Sequence, residues 1–241
     1  MGGSCPCHTC PAKEFGIFSS LNDEELLKTK NLLHQNFYKK HQTIFHEDNP
    51  CHGFYIMRSG RAKLIKSART GRQVILKLVN PGGFIGEHAV FENSPYAFTA
   101  EAIEDSEICF ISKEDFLGIV KRRPEIALKI MSILSGELRA ARAQVIDMAL
   151  KEAQERMAAL IMSLADEYGT VKIDGIVIGL FLTRGELAEM IGVSQETAIR
   201  IICEFRDTGL IKTDHRQITI LNEKRMRMVA SGEQITTGKR I

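Results

Sequence analysis

The sequence predicts an α+β chain in three parts: an N-terminal β-roll, a long helix and a C-terminal winged helix-turn-helix. Three observations carry this. From Thr43 to Ser112 the chain runs as short β-like stretches (TIFHE, GFYIM, RAKLIK, QVILKLV, AFTAEA, EICFIS), broken at Gly60, Gly71, Pro81-Gly82-Gly83 and Asn93-Ser94-Pro95. After Pro124 a single helical pattern occupies residues 124–149. From Thr183 two short amphipathic helices follow one another across a tight turn at Gly192.

The β-like stretches have turn residues between them and no helices, which excludes a parallel α/β sheet and leaves a roll or barrel. Ahead of them, Asn22-Asp23-Glu24-Glu25 opens a short helix whose first-turn carboxylates suit the positive end of its dipole. Ser112 with Asp115 reads as the cap of the helix that closes the roll. The expected organisation is a cysteine-containing arm at 1–15, the roll at 16–123, the long helix at 124–149, the helix-turn-helix unit at 150–225 and a tail at 226–241.

In the long helix Ala127, Met131, Leu134, Leu138, Ala141, Val145 and Met148 recur at alternating spacings of four and three. That is a heptad seam, the stripe two parallel helices bury against each other. The same stripe would also suit packing on the roll. Ile126, Ile130 and Ile133 form a second apolar edge for that purpose, so Met131, Leu134, Leu138, Ala141, Val145 and Met148 are assigned to a homodimer interface.

Thr183-Arg184-Gly185-Glu186 fits a capping box, and Ser194 is placed to cap the next helix. Leu187, Ala188 and Ile191 on the first helix, and Ala198, Ile201, Ile202 and Phe205 on the second, form the buried sides. Small Ala188 allows a close crossing, and Gly192 supplies a left-handed turn. LIKTDHRQITIL then alternates about a polar turn and reads as a β wing. Gln195, Glu196, Ile199 and Arg200 lie near the start of the second helix and off its apolar stripe, where side chains enter a major groove. An arginine there pairs with guanine O6 and N7, and a glutamate accepts from cytosine N4. A solvent-exposed Glu–Arg pair at i, i+4 is the plainer reading of the same two residues.

Composition sets bounds. The 241 residues, 44% hydrophobic and 26% charged, suit a globular chain of one or two domains. No run of eighteen apolar residues spans a membrane, and MGGSCPCHTC is not built like a secretory signal, so the cytoplasm is the expected compartment. The net charge of +2 decides nothing, although residues 200–241 carry nine Lys/Arg against five Asp/Glu. Of six cysteines, Cys5, Cys7 and Cys10 cluster while Cys51, Cys109 and Cys203 are dispersed; in a cytosolic chain this reads as metal or redox chemistry before disulfides. No P-loop, nucleophile elbow, HExxH or dinucleotide fingerprint appears, so no enzyme is expected. The competing enzymatic reading is a thiol-redox activity at Cys5-Pro6-Cys7.

With SQETAIR on the second motif helix, FYIMRSGRAKLI and GGFIGEHAVFENS in the roll, and KEAQERMAALIMSLA before the motif, the chain resembles the cyclic-AMP receptor/fumarate–nitrate regulator (Crp/Fnr) superfamily over roughly residues 15–225. The resemblance implies a cyclic-nucleotide-binding-like roll and a dimeric transcription regulator that reads palindromic double-stranded DNA, with RNA polymerase as the protein partner. It assigns Thr183, Arg184, Ser194, Gln195, Glu196, Thr197, Ile199 and Arg200 to the DNA surface. Glu196 and Arg200 would read the inner G·C pair of each half-site. Ile199 stands where typical fumarate–nitrate regulators have a serine, so the half-site differs from theirs.

The resemblance also places Gly86 and Glu87 in the effector pocket. There the cyclic-AMP branch carries a later Arg-Ser/Thr for the phosphate; Ala97 and Phe98 occupy those positions here, which argues against a cyclic nucleotide. The oxygen-sensing branch holds a [4Fe–4S] cluster on three N-terminal cysteines and a distant fourth. Cys5, Cys7, Cys10 and Cys109 are the matching thiols, although C-x-C-x2-C departs from the branch's C-x2-C-x5-C. Haem ligation through His8, His46, His52 or His88, zinc on the arm thiols, or an unliganded arm with Cys109 as a small core hydrophobe compete with the cluster.

Overall fold

The computed structural model describes residues 10–14 and 16–233. Two compact units divide at Leu138/Arg139. The first begins with α1 (Pro11–Glu14) and α2 (Asp23–Lys30), in which Asn22 and Glu25 form a reciprocal capping box. Strands β1 (His34–Tyr38), β2 (Thr43–Phe45), β3 (Gly53–Ser59), β4 (Ala62–Ser67), β5 (Gln73–Val79) and β6 (Phe84–Ile85) follow. After α3 (Glu87–Glu92) come β7 (Thr99–Ala102), β8 (Ser106–Ser112) and α4 (Lys113–Arg122). The strands make two antiparallel four-stranded sheets, ordered β1-β8-β3-β6 and β2-β7-β4-β5. Strands β1 and β6 were not among the expected ones. The first is an edge strand with almost no buried side, and the second is only two residues long.

Alternation fills the interior. Phe54 stacks on Phe84 at 5.0 Å and on Phe116 at 4.3 Å, joining α4 to the first sheet. Ile126 and Ile130, at the start of α5 (Pro124–Leu150), are buried in the same cluster. Ile133 and Leu134 pack against its rim. Leu134, assigned to the dimer seam, is partly buried and also touches the roll. The other seam residues present open apolar surface: Met131 is 56% exposed, Leu138 51%, Val145 67% and Met148 41%.

The second unit holds the rest of α5, then α6 (Ala153–Tyr168), β9 (Gly169–Lys172), β10 (Gly175–Ile178), α7 (Arg184–Ile191), α8 (Gln195–Asp207), β11 (Ile211–Asp214), β12 (Gln217–Ile220) and α9 (Glu223–Ala230). Its sheet runs β11-β12-β10-β9. Met157, Ile161, Leu187, Ala198, Phe205 and Met226 are buried from four helices of this unit. Residues 226–230 consequently do not begin a tail. Asn222 caps α9 by accepting from the Arg225 N–H, and Met226, fully buried, fastens the helix.

Candidate nucleic-acid interface and sensor pockets

The two motif helices are fixed by their own ends. Thr183 Oγ1 accepts from the Glu186 N–H at 3.1 Å, and Glu186 accepts in return from the Thr183 N–H at 2.8 Å. Helix α7 stops at Gly192, whose φ of +70° is left-handed, a region costly for any residue with a Cβ. Ser194 Oγ accepts from the Thr197 N–H at 3.2 Å and starts α8. With Ala198, Ile201, Ile202 and Phe205 buried, geometry turns the opposite face outward, and Ser194, Gln195, Glu196, Ile199 and Arg200 are exposed.

Glu196 is held ionised: its own backbone N–H and the Ser194 hydroxyl keep its carboxyl below the usual range. Among the described residues neither Glu196 nor Arg200 enters an ion pair, so the self-paired reading is not what the structure adopts. Thr183, Arg184, Gly185 and Gln195 line one groove with His215 and Arg216. Arg184 Nη1 is buried there without a hydrogen-bond partner, and burial draws the guanidinium below its usual range. His215 and Arg216 are additions to the sequence reading. They form the turn between β11 and β12, with His215 at φ +50°, and a basic residue in a hairpin's polar turn was the available signal.

In the roll, Gly86 (φ +101°) precedes Glu87, and both line a pocket with Phe45, Tyr96, Ala97 and Phe98. Phe45 and Tyr96 stack directly on each other, 3.9 Å between ring centres, and form one wall of it. A cation unforeseen from sequence lies nearby: Lys66 donates to the Ala97 carbonyl at 3.1 Å and is ion-paired with Glu47. That pairing leaves no uncommitted charge for a phosphate. No lysine or arginine lines the pocket, and its carboxyl is that of Glu87.

Of the four candidate thiols, Cys5 and Cys7 lie outside the described residues, as does His8. Cys10 and Cys109, ninety-nine positions apart, are brought to one narrow pocket with Phe18, Leu26, Leu33, Ile56 and Lys13. Cys109 is buried in β8, registered against Gln35 and Ile56. The Cys10 carbonyl accepts from the Lys13 and Glu14 N–H groups, so its position is set by the first turn of α1. No three His, Cys, Asp or Glu side chains gather as a metal site among the described residues, and His46, His52 and His88 join no such group.

A roll joined through a long helix to a winged helix-turn-helix defines the class: a transcription regulator with a DNA-binding unit. The Cyclic nucleotide-binding domain model matches residues 35–123, and the Crp-like helix-turn-helix domain model matches residues 155–229. The chain belongs to the Crp/Fnr superfamily. It is 26% identical over 233 residues to the Fumarate and nitrate reduction regulatory protein of Escherichia coli K12, covering 95% of this chain and 93% of that one. It is also 26% identical over 212 residues to the CRP-like cAMP-activated global transcriptional regulator of Mycobacterium tuberculosis, covering 88% and 94%. Among solved structures, a CooA mutant from Carboxydothermus hydrogenoformans shares the fold at a TM-score of 0.77 with 19% identity, over 89% of this chain and 95% of that one. No helix among the described residues is long and apolar enough to cross a membrane.

Proposed function

We propose that this chain is a dimeric, sequence-specific transcription regulator whose DNA reading answers to redox state or oxygen through a thiolate-held [4Fe–4S] cluster. The DNA half of the reading rests on the outward face of α8. Arg200 donates to a guanine edge, Glu196 accepts from a cytosine amino group, and Thr183, Arg184, Ser194, Gln195, Thr197 and Ile199 complete the surface. The groove with His215 and Arg216 receives backbone phosphate beside the α7 and α8 N-termini. Two such units a duplex turn apart, roughly 34 Å, read a palindrome, which requires the homodimer. RNA polymerase is the partner such a regulator addresses.

The single observation behind the sensor half is the meeting of Cys10 and Cys109 on one pocket. The donor set fits at these two positions: two thiols, and apolar walls that keep water away. Cys5 and Cys7 are the remaining ligands of this proposal. Bound there, the cluster supplies an oxygen-labile redox group. The chain's own contribution is to hold Cys109 rigidly in a sheet while the other thiols belong to the segment leading into α1.

Iron and acid-labile sulfide are measured on anaerobically purified wild type and Cys109→Ala, with the visible spectrum before and after air. Wild type should contain both, with a broad absorption that air bleaches, and Cys109→Ala should lose both together. Equal iron in the two proteins, or none in wild type, overturns the cluster; a sharp Soret band would establish haem instead. Selection of duplexes from a random pool tests the DNA half, which fails if no palindrome is enriched.

A further inference from the structure

The roll's pocket has no lysine or arginine in its lining, and its buried carboxyl keeps one unpartnered oxygen. Glu87 is 5% exposed, and its Oε2 has no hydrogen-bond partner. Such an oxygen, desolvated and unmatched, is costly unless a donor arrives. The protein's own cations do not serve as that donor. Lys77 is committed to Glu137 at 2.5 Å, and Lys66 to Glu47 and the Ala97 carbonyl. His88, the neighbour on α3, is 3.9 Å from the other oxygen, with its ring half exposed. Lys77 and Lys66 face three carboxyls, Glu137, Glu47 and Glu87, so the group carries one net negative charge once Glu87 ionises.

Its walls are aromatic. Phe45, Tyr96 and Phe98 line it, and the Tyr96 hydroxyl is already spent on the Gly53 carbonyl at 3.0 Å. Ring faces attract cations. A hard metal ion would need six or more oxygens, which these residues do not supply. An organic ammonium needs only one acceptor and the rings, and the narrow space beside them admits only a small head group.

We infer that the roll's effector is an organic cation with a primary ammonium group, which donates to Glu87 Oε2 and lies against Phe45, Tyr96 and Phe98. This rests on the reading of the chain as a DNA-binding regulator and adds, beside the proposed cluster, the class of molecule the roll's pocket takes. Charge sets the preference: the cation neutralises Glu87, whereas a cyclic phosphate would add a second anion.

The chain has four tyrosines and no tryptophan, so tyrosine fluorescence reports on Tyr96 without a dominant background. The full-length protein is titrated with methylammonium chloride, with sodium chloride at matched ionic strength, with tetramethylammonium chloride and with cyclic AMP. Methylammonium should give a saturable change that sodium does not. Tetramethylammonium, which has no N–H, should bind more weakly, and cyclic AMP should not saturate. Glu87→Gln should raise the methylammonium half-saturation at least about tenfold, the loss of a charge-assisted contact. In case that variant does not fold, the wild type is also titrated across pH. Burial holds the Glu87 carboxyl above its usual range, so methylammonium affinity should rise with pH as that group ionises. No saturation by methylammonium, an equal response to sodium, a pH-independent affinity, or saturation by cyclic AMP overturns the inference. Palindrome binding is measured on the same preparation: if it persists while the pocket stays silent, only the effector class falls, whereas its absence strikes the regulator reading.

Discussion

The α7–α8 groove and the roll's pocket are both concave and both hold ionisable side chains, but they treat charge in opposite ways. On α8, Glu196 and Arg200 stand in solvent, unpaired with each other, and the helix needs only local caps at Thr183 and Ser194 to present them. In the roll, one carboxylate is buried among rings by residues drawn from β2, α3 and the loop before β7. Exposed charges are cheap to hold and ready for a partner that brings its own charge. A buried one is costly to hold and discriminates sharply, because any molecule that fails to match it pays its desolvation.

The largest expected effect sharpens the exposed side of this contrast. Arg200→Ala should remove a bidentate guanine contact from each half-site, at ~1–3 kcal/mol per contact. A symmetric dimer then loses roughly 30-fold to 10⁴-fold in specific affinity. Non-specific binding should fall far less, because it rests on other Lys and Arg contacts to phosphate. Duplex selection at fixed salt checks it: equal enrichment of one palindrome by both proteins would reduce Arg200 to a surface charge.

Next comes Leu138→Glu. Leu138 is half exposed in the single chain, and on a dimer seam the new carboxylate would be buried opposite its twin. Dimer affinity should drop at least about tenfold, a step of 1.4 kcal/mol, and DNA binding should fall with it. Sedimentation decides: a full-strength dimer of the mutant removes Leu138 from the interface.

The smallest effect probes the buried side. Burial raises the Glu87 carboxyl; Lys77 and its own backbone N–H pull it down, Glu137 pushes it up, and His88 pulls weakly down. A carboxyl raised on folding contributes stability that is present below its unfolded value and lost as pH rises through its folded value. Wild-type melting temperature should therefore fall over that window, and Glu87→Gln should show less of the fall. Parallel melting curves for the two proteins from acid to neutral pH would contradict this account of Glu87.

What was readable in the sequence follows the same division. The capping boxes, the left-handed Gly192 and the stripe Ala198–Ile201–Ile202–Phe205 are local signals, and local hydrogen bonds realise them. Strand β1 was not readable, because an edge strand with exposed residues shows no alternation. Helix α9 was missed because Met226 alone carries its burial. The candidate sites behave likewise. Glu196 and Arg200 were visible from their place on one helix, whereas Lys66 reaches Ala97 from a strand thirty-one residues earlier, and only the folded sheets reveal it. Leu134 illustrates the limit of periodicity: the heptad names the stripe, but the rim of the roll decides where the stripe begins to face outward.

The Lys77–Glu137 pair also acts along the length of α5. It ties β5 to the helix at the point where contact with the roll ends: Ile126, Ile130, Ile133 and Leu134 precede it, and exposed Leu138 follows. One uninterrupted helix of 27 residues is thus divided into two stretches that open independently. Amide hydrogens from Ile126 to Glu137 will exchange at a rate set by the roll, whatever the protein concentration. Those from Leu138 to Leu150 should slow as the solution is concentrated, because in the proposed dimer a second chain covers the seam. In kinetic terms the helix is half foundation and half coupling, and the salt bridge marks the join.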